Sequence, residues 1–211
     1  MNPKARVHIV DDDAAIRRSL TRLLTSAGFE AVAYARPMDF LQAAPALPPG
    51  DCLLLDLRMP DMDGLELQSK LNQIGVTLPV VVMTGDGDVS TAVRAMKAGA
   101  IDFIEKPFDD EQLLGSIAAA LEVLAPQDHD QQALSAAKRI AALSPREKQV
   151  LDGLVAGHPN KVIASQLGLS VRTVEGHRIR MLERLGSHRL AEAIRLAVMA
   201  SLAPSDPKRE R

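Results

Sequence analysis

The sequence has little of what marks secreted and membrane proteins. Its single cysteine, Cys52, allows no disulfide within the chain, which fits a reducing compartment. No apolar run approaches the ~18 residues that a membrane-spanning helix needs, and the N-terminus lacks the layout of a signal peptide. Aromatic residues make up only 2% of the chain, but apolar residues make up 46%, which is ample for a core. We therefore expect a cytoplasmic protein without a membrane partner.

Charge divides the chain into an acidic part and a basic part. Residues 1–124 hold 11 Lys and Arg against 18 Asp and Glu, a net charge of −7, whereas residues 144–200 hold 9 against 5, a net charge of +4. This asymmetry indicates two domains with different partners, and the basic domain is the candidate for binding nucleic acid. We place the domains at residues 1–124 and 143–202, with a partly helical linker (125–142) between them and a tail (203–211) at the end.

Short apolar strands alternate with helical patterns through the first domain. The helical stretches repeat apolar residues at helical spacing, and Gly28, Gly75 and Gly99 follow three of them. Five strand–helix units predict a doubly wound α/β fold of the flavodoxin-like type, a parallel sheet covered by helices on both faces, with strand order 2-1-3-4-5. The expected strands are residues 7–10, 31–34, 52–55, 79–83 and 101–104.

Polar residues follow these strands at the edge where an open α/β sheet binds its ligands. Asp11 and Asp12 follow the first strand, Asp56 the third, Thr84 the fourth and Lys106 the fifth. Each residue alone has a simple structural explanation: a loop cap, a turn residue or a solvated charge. Their joint occurrence predicts a site, because the expected strand order brings Asp11, Asp12 and Asp56 to one rim with Thr84 and Lys106 beside them.

The chemistry of this cluster points to phosphoryl transfer. Packed carboxylates raise one another's pKa unless a cation lies among them, and hard oxygens with room for water suit Mg²⁺. The metal and Lys106 can neutralise the oxygens of a phosphoryl group, while Asp56 acts as the nucleophile and forms an acyl phosphate. Thr84 can hydrogen-bond that phosphate. The bond between Lys106 and Pro107 is a candidate cis peptide that aims the lysine.

The first domain resembles response-regulator receiver domains over its whole length. The matching motifs are IVDDD (9–13), LLLDLRMPDMDG (53–64), VVMTGDGD (81–88) and AVRAMKAGAIDFIEKPF (92–108). The resemblance implies that a sensor histidine kinase phosphorylates Asp56. It also implies that Mg²⁺ is held by Asp12, Asp56 and the backbone carbonyl of Arg58, with Asp11 bound through water.

The same resemblance implies a conformational switch. Thr84 and Phe103 correspond to the switch pair of the receiver family: Thr84 moves to bond the phosphate, and Phe103 rotates into the space it leaves. The face formed by residues 89–98 and 101–105 then changes shape and becomes a dimer contact, within which Val93 and Lys97 are our candidates. We therefore expect homodimerisation on phosphorylation.

The second domain has the pattern of a small all-α, four-helix fold. Ser144, Pro145 and Glu147 mark a helix start, and further helices are expected at residues 160–167, 171–185 and 188–202. Two short helices joined by a tight glycine turn, the second with basic side chains, are typical of a helix-turn-helix. A four-helix bundle with solvated arginines is the alternative. The short connection and the local charge of +4 favour DNA.

This domain also resembles the LuxR-type helix-turn-helix. The matching segments are LSPREKQVL (143–151), GHPNKVIASQLGLSVRTVEGHRIRMLERLG (157–186) and AEAIRLA (191–197). Together with the receiver, they make the chain similar to transcription factors of the FixJ/NarL family, nearest the FixJ branch. Membership implies phosphorylation-controlled binding to promoter DNA, with RNA polymerase as a further partner.

The helix-turn-helix hypothesis also names candidate DNA contacts. The N-terminal half of the helix at 171–185 is expected in the major groove, with contacts divided between phosphates and base edges. Contacts to the DNA backbone are expected where the preceding helix begins. One candidate, His177, has the alternative of pointing inward to a core hydrogen bond. The candidates are Asn160, Lys161, Ser170, Arg172, Thr173, Glu175, His177, Arg178 and Arg180.

Three other functions compete with this one. An aspartyl phosphatase of the haloacid-dehalogenase type needs a second Asp two residues after the nucleophile, where this chain has Arg58. A dinucleotide-binding domain is excluded because no GxGxxG follows the first strand. A receiver whose output domain binds only protein remains open, and salt-dependent binding to duplex DNA distinguishes it. We expect no enzymatic activity beyond phosphorylation and dephosphorylation of Asp56 itself.

Overall fold

The computed structural model describes residues 5–48, 50–85, 89–122, 129–187 and 189–201, and the chain forms two compact units. Strands and helices alternate through residues 5–122, as the apolar pattern predicts. In chain order they are β1 (Arg6–Val10), α1 (Ala14–Ser26), β2 (Glu30–Tyr34), α2 (Pro37–Ala43), a 3₁₀ turn (Ala44–Ala46), β3 (Cys52–Asp56), α3 (Gly64–Gln73), β4 (Val80–Thr84), α4 (Val89–Lys97), β5 (Asp102–Glu105) and α5 (Asp110–Glu122).

The five strands form one parallel sheet in the order β2-β1-β3-β4-β5, which confirms the predicted doubly wound topology. Strand β1 pairs with β3, so the polar residues after both strands meet at the same edge. Every residue of β3 and β4 is buried. Strands covered on both faces explain why their sequences are continuous apolar runs rather than alternating patterns.

The core lies on both faces of this sheet. On one face Ile9, Leu54 and Val81 pack in a cluster that includes Leu24 of α1 and Ile117 of α5. The alternate strand residues, including Leu53, Leu55 and Val82, are buried on the other face. Cys52 belongs to the first cluster, and its burial raises the pKa of the thiol to about 12. This cysteine is therefore a core residue, as its apolar surroundings in the sequence predict.

A buried polar pair lies among the apolar residues of the sheet. His8 of β1 is 1% exposed, and its Nε2 lies 2.8 Å from Oδ2 of Asp51, which directly precedes β3. The hydroxyl of Tyr34 lies 3.4 Å from the other ring nitrogen, and the rings of Tyr34 and Phe40 pack around the imidazole. The pair joins the middle of β1 to the residue before β3 by a hydrogen bond that apolar periodicity does not predict.

The second unit is helical. In the described ranges it takes in residues 89–96 of α4 and the helices α6 (His129–Ala141), α7 (Pro145–Val155), α8 (Asn160–Leu167), α9 (Val171–Arg184) and α10 (Leu190–Ser201). Val150, Leu154, Ile163, Val174 and Met181 are core residues of this unit. Among the described helices, none has both the length and the apolar character needed to cross a membrane.

Local signals in the sequence set the ends of these helices. Ser144 and Glu147 form the predicted capping box, in which each side chain accepts a hydrogen bond from the other residue's backbone N–H, at 3.3 Å and 2.9 Å. Gly168 ends α8 in the left-handed conformation, with φ of 66°. Ser170 then caps α9 by accepting a hydrogen bond from the backbone N–H of Thr173 at 3.1 Å.

Helix α6 forms within the stretch that the sequence predicts as a partly helical linker, and it packs into the second unit. Ala133 and Ala136 are buried there, whereas Leu134 is 47% exposed. The contact face of α6 therefore includes small residues, which let a neighbouring helix approach closely, and Ile140 packs against the same core. The C-terminal core accordingly includes one helix more than the four predicted in the sequence.

Candidate functional site

The carboxyl edge of the sheet brings together the residues predicted there. Asp11 and Asp12 follow β1, Asp56 ends β3, and Thr84 ends β4. Lys106 follows β5, and its backbone N–H donates a 2.7 Å hydrogen bond to the carbonyl of Thr84. Asp11, Asp56 and Thr84 are at most 5% exposed. Four strand ends thus build one polar site on an apolar sheet.

Lys106 bridges two of the carboxylates. Its Nζ donates to Oδ2 of Asp11 at 2.7 Å and to Oδ1 of Asp56 at 2.9 Å. Burial alone would lower the pKa of the lysine, but its hydrogen bonds to both carboxylates and their negative charges outweigh burial and raise the pKa. The side chain is therefore a fixed positive charge at the site. The peptide bond between Lys106 and Pro107 is cis, as predicted.

Burial has the opposite effect on Asp56: it raises the pKa of this carboxyl group, because water no longer stabilises its negative charge. The hydrogen bond and charge of Lys106 oppose this rise, and the charges of Asp11 and Asp12 add to it. The three carboxylates each offer an oxygen within 4.8 Å of the others, a cluster that can hold a metal ion. A cation among these oxygens would relieve their mutual repulsion.

The loop after Asp56 depends on Gly64, the last residue of the motif at 53–64. The motif alone does not reveal what this glycine does. Gly64 begins α3, and a Cβ built on it would lie 2.5 Å from the backbone oxygen of Asp56 and 3.0 Å from Cα of Leu57. Its backbone N–H donates to the carbonyl of Leu57 at 3.0 Å. The start of α3 therefore packs directly against the backbone that carries Asp56.

Two further residues support Asp11. Its Oδ1 accepts a 2.8 Å hydrogen bond from the backbone N–H of Asp13, and its carbonyl accepts one of 2.7 Å from Nη1 of Arg17. The side chain of Asp13 caps α1 through the N–H groups of Ala15 and Ile16, and these hydrogen bonds lower its pKa. An Asp directly before a helical pattern signals such a cap. No sequence signal identifies the role of Arg17.

The other predicted receiver residues differ in burial. Thr84 and Phe103 lie on neighbouring strands and share one face of the sheet, since Phe103 pairs with Val82, two residues before Thr84. Arg58 is exposed in the loop after Asp56. Of the two dimer candidates on α4, Lys97 is exposed and Val93 is 2% exposed.

The predicted DNA contacts lie on α8, on α9 and at the turn between them. Asn160 and Lys161 begin α8, with Asn160 half-buried and Lys161 exposed. On and before α9 the exposed residues are Ser170, Arg172, Thr173, Glu175 and Arg180, whereas His177 and Arg178 are half-buried. The opposite side of α9 buries Val174 and Met181 in the core. Most of the candidates therefore share the solvent side of two consecutive short helices.

Hydrogen bonds already hold some of these side chains. The hydroxyls of Ser170 and Thr173 lie 2.7 Å apart. Nη2 of Arg180 lies 3.2 Å from Nδ1 of His177, a contact that fits donation from Arg180 to a neutral imidazole. His177 thus pairs with a neighbour on α9 rather than with a core group.

Family models match both parts of the chain. Residues 7–118 match the response regulator receiver domain, and residues 141–197 match the bacterial regulatory proteins of the luxR family. The chain is 46% identical over 201 residues to the transcriptional regulatory protein FixJ of Azorhizobium caulinodans, covering 95% of each. It is 42% identical over 203 residues to FixJ of Bradyrhizobium diazoefficiens, covering 96% of this chain and 98% of that protein.

Solved structures of response regulators also match this chain over most of its length. The crystal structure of full-length FixJ from B. japonicum has a TM-score of 0.57 and 42% identity, and the match covers 95% of this chain and 99% of that one. The structure of the response regulator StyR has a TM-score of 0.53 and 38% identity, covering 92% and 98%. The chain therefore belongs to the family of response regulators that join a receiver domain to a LuxR-type DNA-binding domain.

Proposed function

We propose that this protein is a two-component transcription regulator in which a sensor histidine kinase phosphorylates Asp56 and thereby promotes binding to promoter DNA. One observation carries the proposal. The Nζ of Lys106 bridges Asp11 and Asp56 at 2.7 Å and 2.9 Å, beside a cluster of three carboxylates, in a chain that also carries a LuxR-type helix-turn-helix.

In the proposed reaction, a carboxylate oxygen of Asp56 attacks the phosphorus of the kinase's phosphohistidine. A P–O bond forms, the P–N bond breaks, and the imidazole leaves with the electron pair of that bond. Lys106 donates a hydrogen bond to a phosphoryl oxygen from its place 2.9 Å from Asp56. The Thr84 hydroxyl donates to another. The product is an acyl phosphate on Asp56, and its hydrolysis resets the protein.

The donor set fits Mg²⁺, because three carboxylate oxygens lie within 4.8 Å of one another. Asp12 and Asp56 with the backbone carbonyl of Arg58 would hold the ion, and Asp11 would bind it through water. When bound, the ion neutralises charge that develops on the transferred phosphoryl group. Lys106 and Asp13 act independently of it: the lysine orients Asp56, and the backbone of Asp13 fixes Asp11.

The phosphoryl group changes the receiver through its added charge and acceptor oxygens. Thr84 moves toward the phosphate, and Phe103, which lies on the neighbouring strand two residues before the partner of Thr84, turns inward. The α4–β5 face then forms a symmetric homodimer. Lys97 is exposed for this contact, whereas Val93 is 2% exposed in this conformation.

Dimerisation places two helix-turn-helix units on one operator. In each unit, α9 lies in the major groove and the start of α8 contacts the DNA backbone. The contacts divide between phosphates and base edges and comprise Asn160, Lys161, Ser170, Arg172, Thr173, Glu175, His177, Arg178 and Arg180. Two linked half-sites bind far more tightly than one, so phosphorylation controls occupancy of the promoter and access for RNA polymerase.

Two assays test the proposal. Acetyl phosphate with Mg²⁺ should add a phosphoryl group, detected by intact-protein mass spectrometry, and EDTA should prevent the addition. Selection from random DNA duplexes should enrich a two-half-site sequence, whose binding weakens as salt rises. An unlabelled protein contradicts the proposed phosphorylation of Asp56. Failure to bind any duplex favours an output domain that binds protein instead.

A further inference from the structure

Exposed apolar side chains concentrate on the helix-turn-helix. Among the described residues, six large hydrophobic side chains are exposed, and three of them, Val162, Val171 and Ile179, lie on α8 and α9. Ile179 is the most exposed of the six, at 58%. A single exposed isoleucine is ordinary on a protein surface. This one is unusual because it lies among charged residues on the helix that carries most of the candidate DNA contacts.

Helical geometry places Ile179 opposite the core. Val174 and Met181 are fully buried, and they mark the inward side of α9. At about 100° per residue, Arg172, Gly176 and Ile179 fall within one stripe on the outward side. Ile179 therefore points away from its own domain, two turns after Arg172.

The surroundings of Ile179 select a polyanion with apolar features. The exposed guanidinium of Arg172 shares its stripe, and the exposed guanidinium of Arg180 follows it in the chain. Between the two lies Gly176, where an added Cβ would meet only the Arg180 guanidinium, at 3.9 Å. The glycine leaves a gap in which another molecule can approach the backbone of α9 closely. Positive charge, a gap and one apolar group match the major groove of DNA.

We infer that Ile179 packs against the 5-methyl group of a thymine and selects that base in each half-site. The inference rests on the proposed binding of α9 in the major groove. An isoleucine side chain has no hydrogen-bonding atom, so it cannot choose among the donors and acceptors of the groove. The thymine methyl group is the apolar feature that a base pair presents there. Ile179 would thus add to the operator a preference that none of the polar contacts supplies.

The test uses the full chain activated with beryllofluoride and Mg²⁺. Selection from random duplexes first defines the operator. Each thymine of one half-site is then replaced in turn by deoxyuridine, which removes only the methyl group, and affinity is measured by fluorescence anisotropy. The wild type should bind one uracil-substituted duplex roughly fourfold more weakly, the effect of exposing one buried methyl-sized group.

The Ile179→Ala variant should bind the thymine and uracil duplexes equally. Ile74→Ala is the matched control, since Ile74 is 51% exposed at the end of α3, and it should keep the full uracil penalty. A wild type insensitive to every uracil substitution overturns the inference, as does an unchanged penalty in Ile179→Ala. Binding to no duplex at all overturns the proposed function together with this inference, so the two failures are distinguishable.

Discussion

In the receiver, Asp11 and Lys106 are 95 positions apart in the chain and 2.7 Å apart in space. In the helix-turn-helix, the candidate DNA contacts lie between residues 160 and 180, and most are exposed. The proposed phosphorylation site is therefore a product of the whole sheet, in which Lys106 is bonded to two carboxylates from different strands. The proposed DNA surface is a local product of two helices. Substitutions in the first should act together, and substitutions in the second should act nearly independently.

The largest effect is expected at the nucleophile. Asp56→Asn removes the oxygen that attacks phosphorus, so labelling by acetyl phosphate and Mg²⁺ should be lost completely. Intact-protein mass spectrometry measures this directly. Asp61→Asn is the matched control, because Asp61 is an exposed carboxylate in the same loop, and it should label normally. Undiminished labelling of Asp56→Asn would show that the phosphoryl group is carried elsewhere.

The next effect tests how tightly the sheet edge is packed. Gly64→Ala places a Cβ 2.5 Å from the Asp56 carbonyl, so the start of α3 must shift. We expect a loss of about 1–3 kcal/mol in the free energy of unfolding, typical of overpacking, together with slower phosphorylation. Urea denaturation measures the first, and labelling kinetics measure the second.

Gly115→Ala is the control for this prediction. Gly115 lies in α5 with no atom within 4 Å of an added Cβ, so alanine should stabilise the helix by up to about 1 kcal/mol. Equal stability changes in the two variants would contradict the close approach of α3 to Asp56.

Two substitutions in the proposed DNA surface should have different effects on binding. Glu175→Ala removes an acceptor for a cytosine amino group and should relax preference at one base pair by about 1–3 kcal/mol. Lys161→Ala removes a phosphate contact and should weaken all sequences alike, reducing the salt slope by about one. Binding to a panel of operator variants at several salt concentrations measures both. Identical effects of the two substitutions would refute the division into base and backbone contacts.

The smallest effect concerns a helix start away from both sites. Ser144→Ala breaks the capping box with Glu147 and should destabilise the C-terminal unit by about 1 kcal/mol. Labelling of Asp56 should not change. Ser135→Ala, at an exposed position inside α6, should leave stability the same or slightly higher. A phosphorylation defect in Ser144→Ala would contradict the expectation that the stability of the C-terminal unit does not affect labelling of Asp56.

The fold was largely predictable because its signals are local. Continuous apolar runs identify the buried strands, the rules for parallel crossovers leave few strand orders, and the order expected for five strand–helix units is the observed one. One helix start is not predictable in this way: the apolar pattern of the last receiver helix begins at Leu113, three residues after α5 begins in the structure. The helix begins at Asp110, where polar residues carry no apolar periodicity, and the cap from Asp109 to the N–H of Gln112 defines its start.

The rest depends on contacts between distant residues. The sequence predicted which groups meet at the sheet edge, but not the hydrogen bond from Arg17 to the carbonyl of Asp11 or the approach of Gly64 to Asp56. In α6 the alanines, rather than Leu134, face the core. An alanine-rich helix does not reveal its contact face, because small residues are tolerated on either side.

Operator affinity of the phosphorylated protein tests the central claim most directly. Anisotropy titrations of a selected two-half-site duplex should compare the wild type and Asp56→Asn, each with and without acetyl phosphate and Mg²⁺. We predict that phosphorylation raises the affinity of the wild type by roughly tenfold or more, through the linking of two half-sites, and leaves that of Asp56→Asn unchanged. An equal rise in the variant, or no rise in a fully labelled wild type, would contradict control of DNA binding through Asp56.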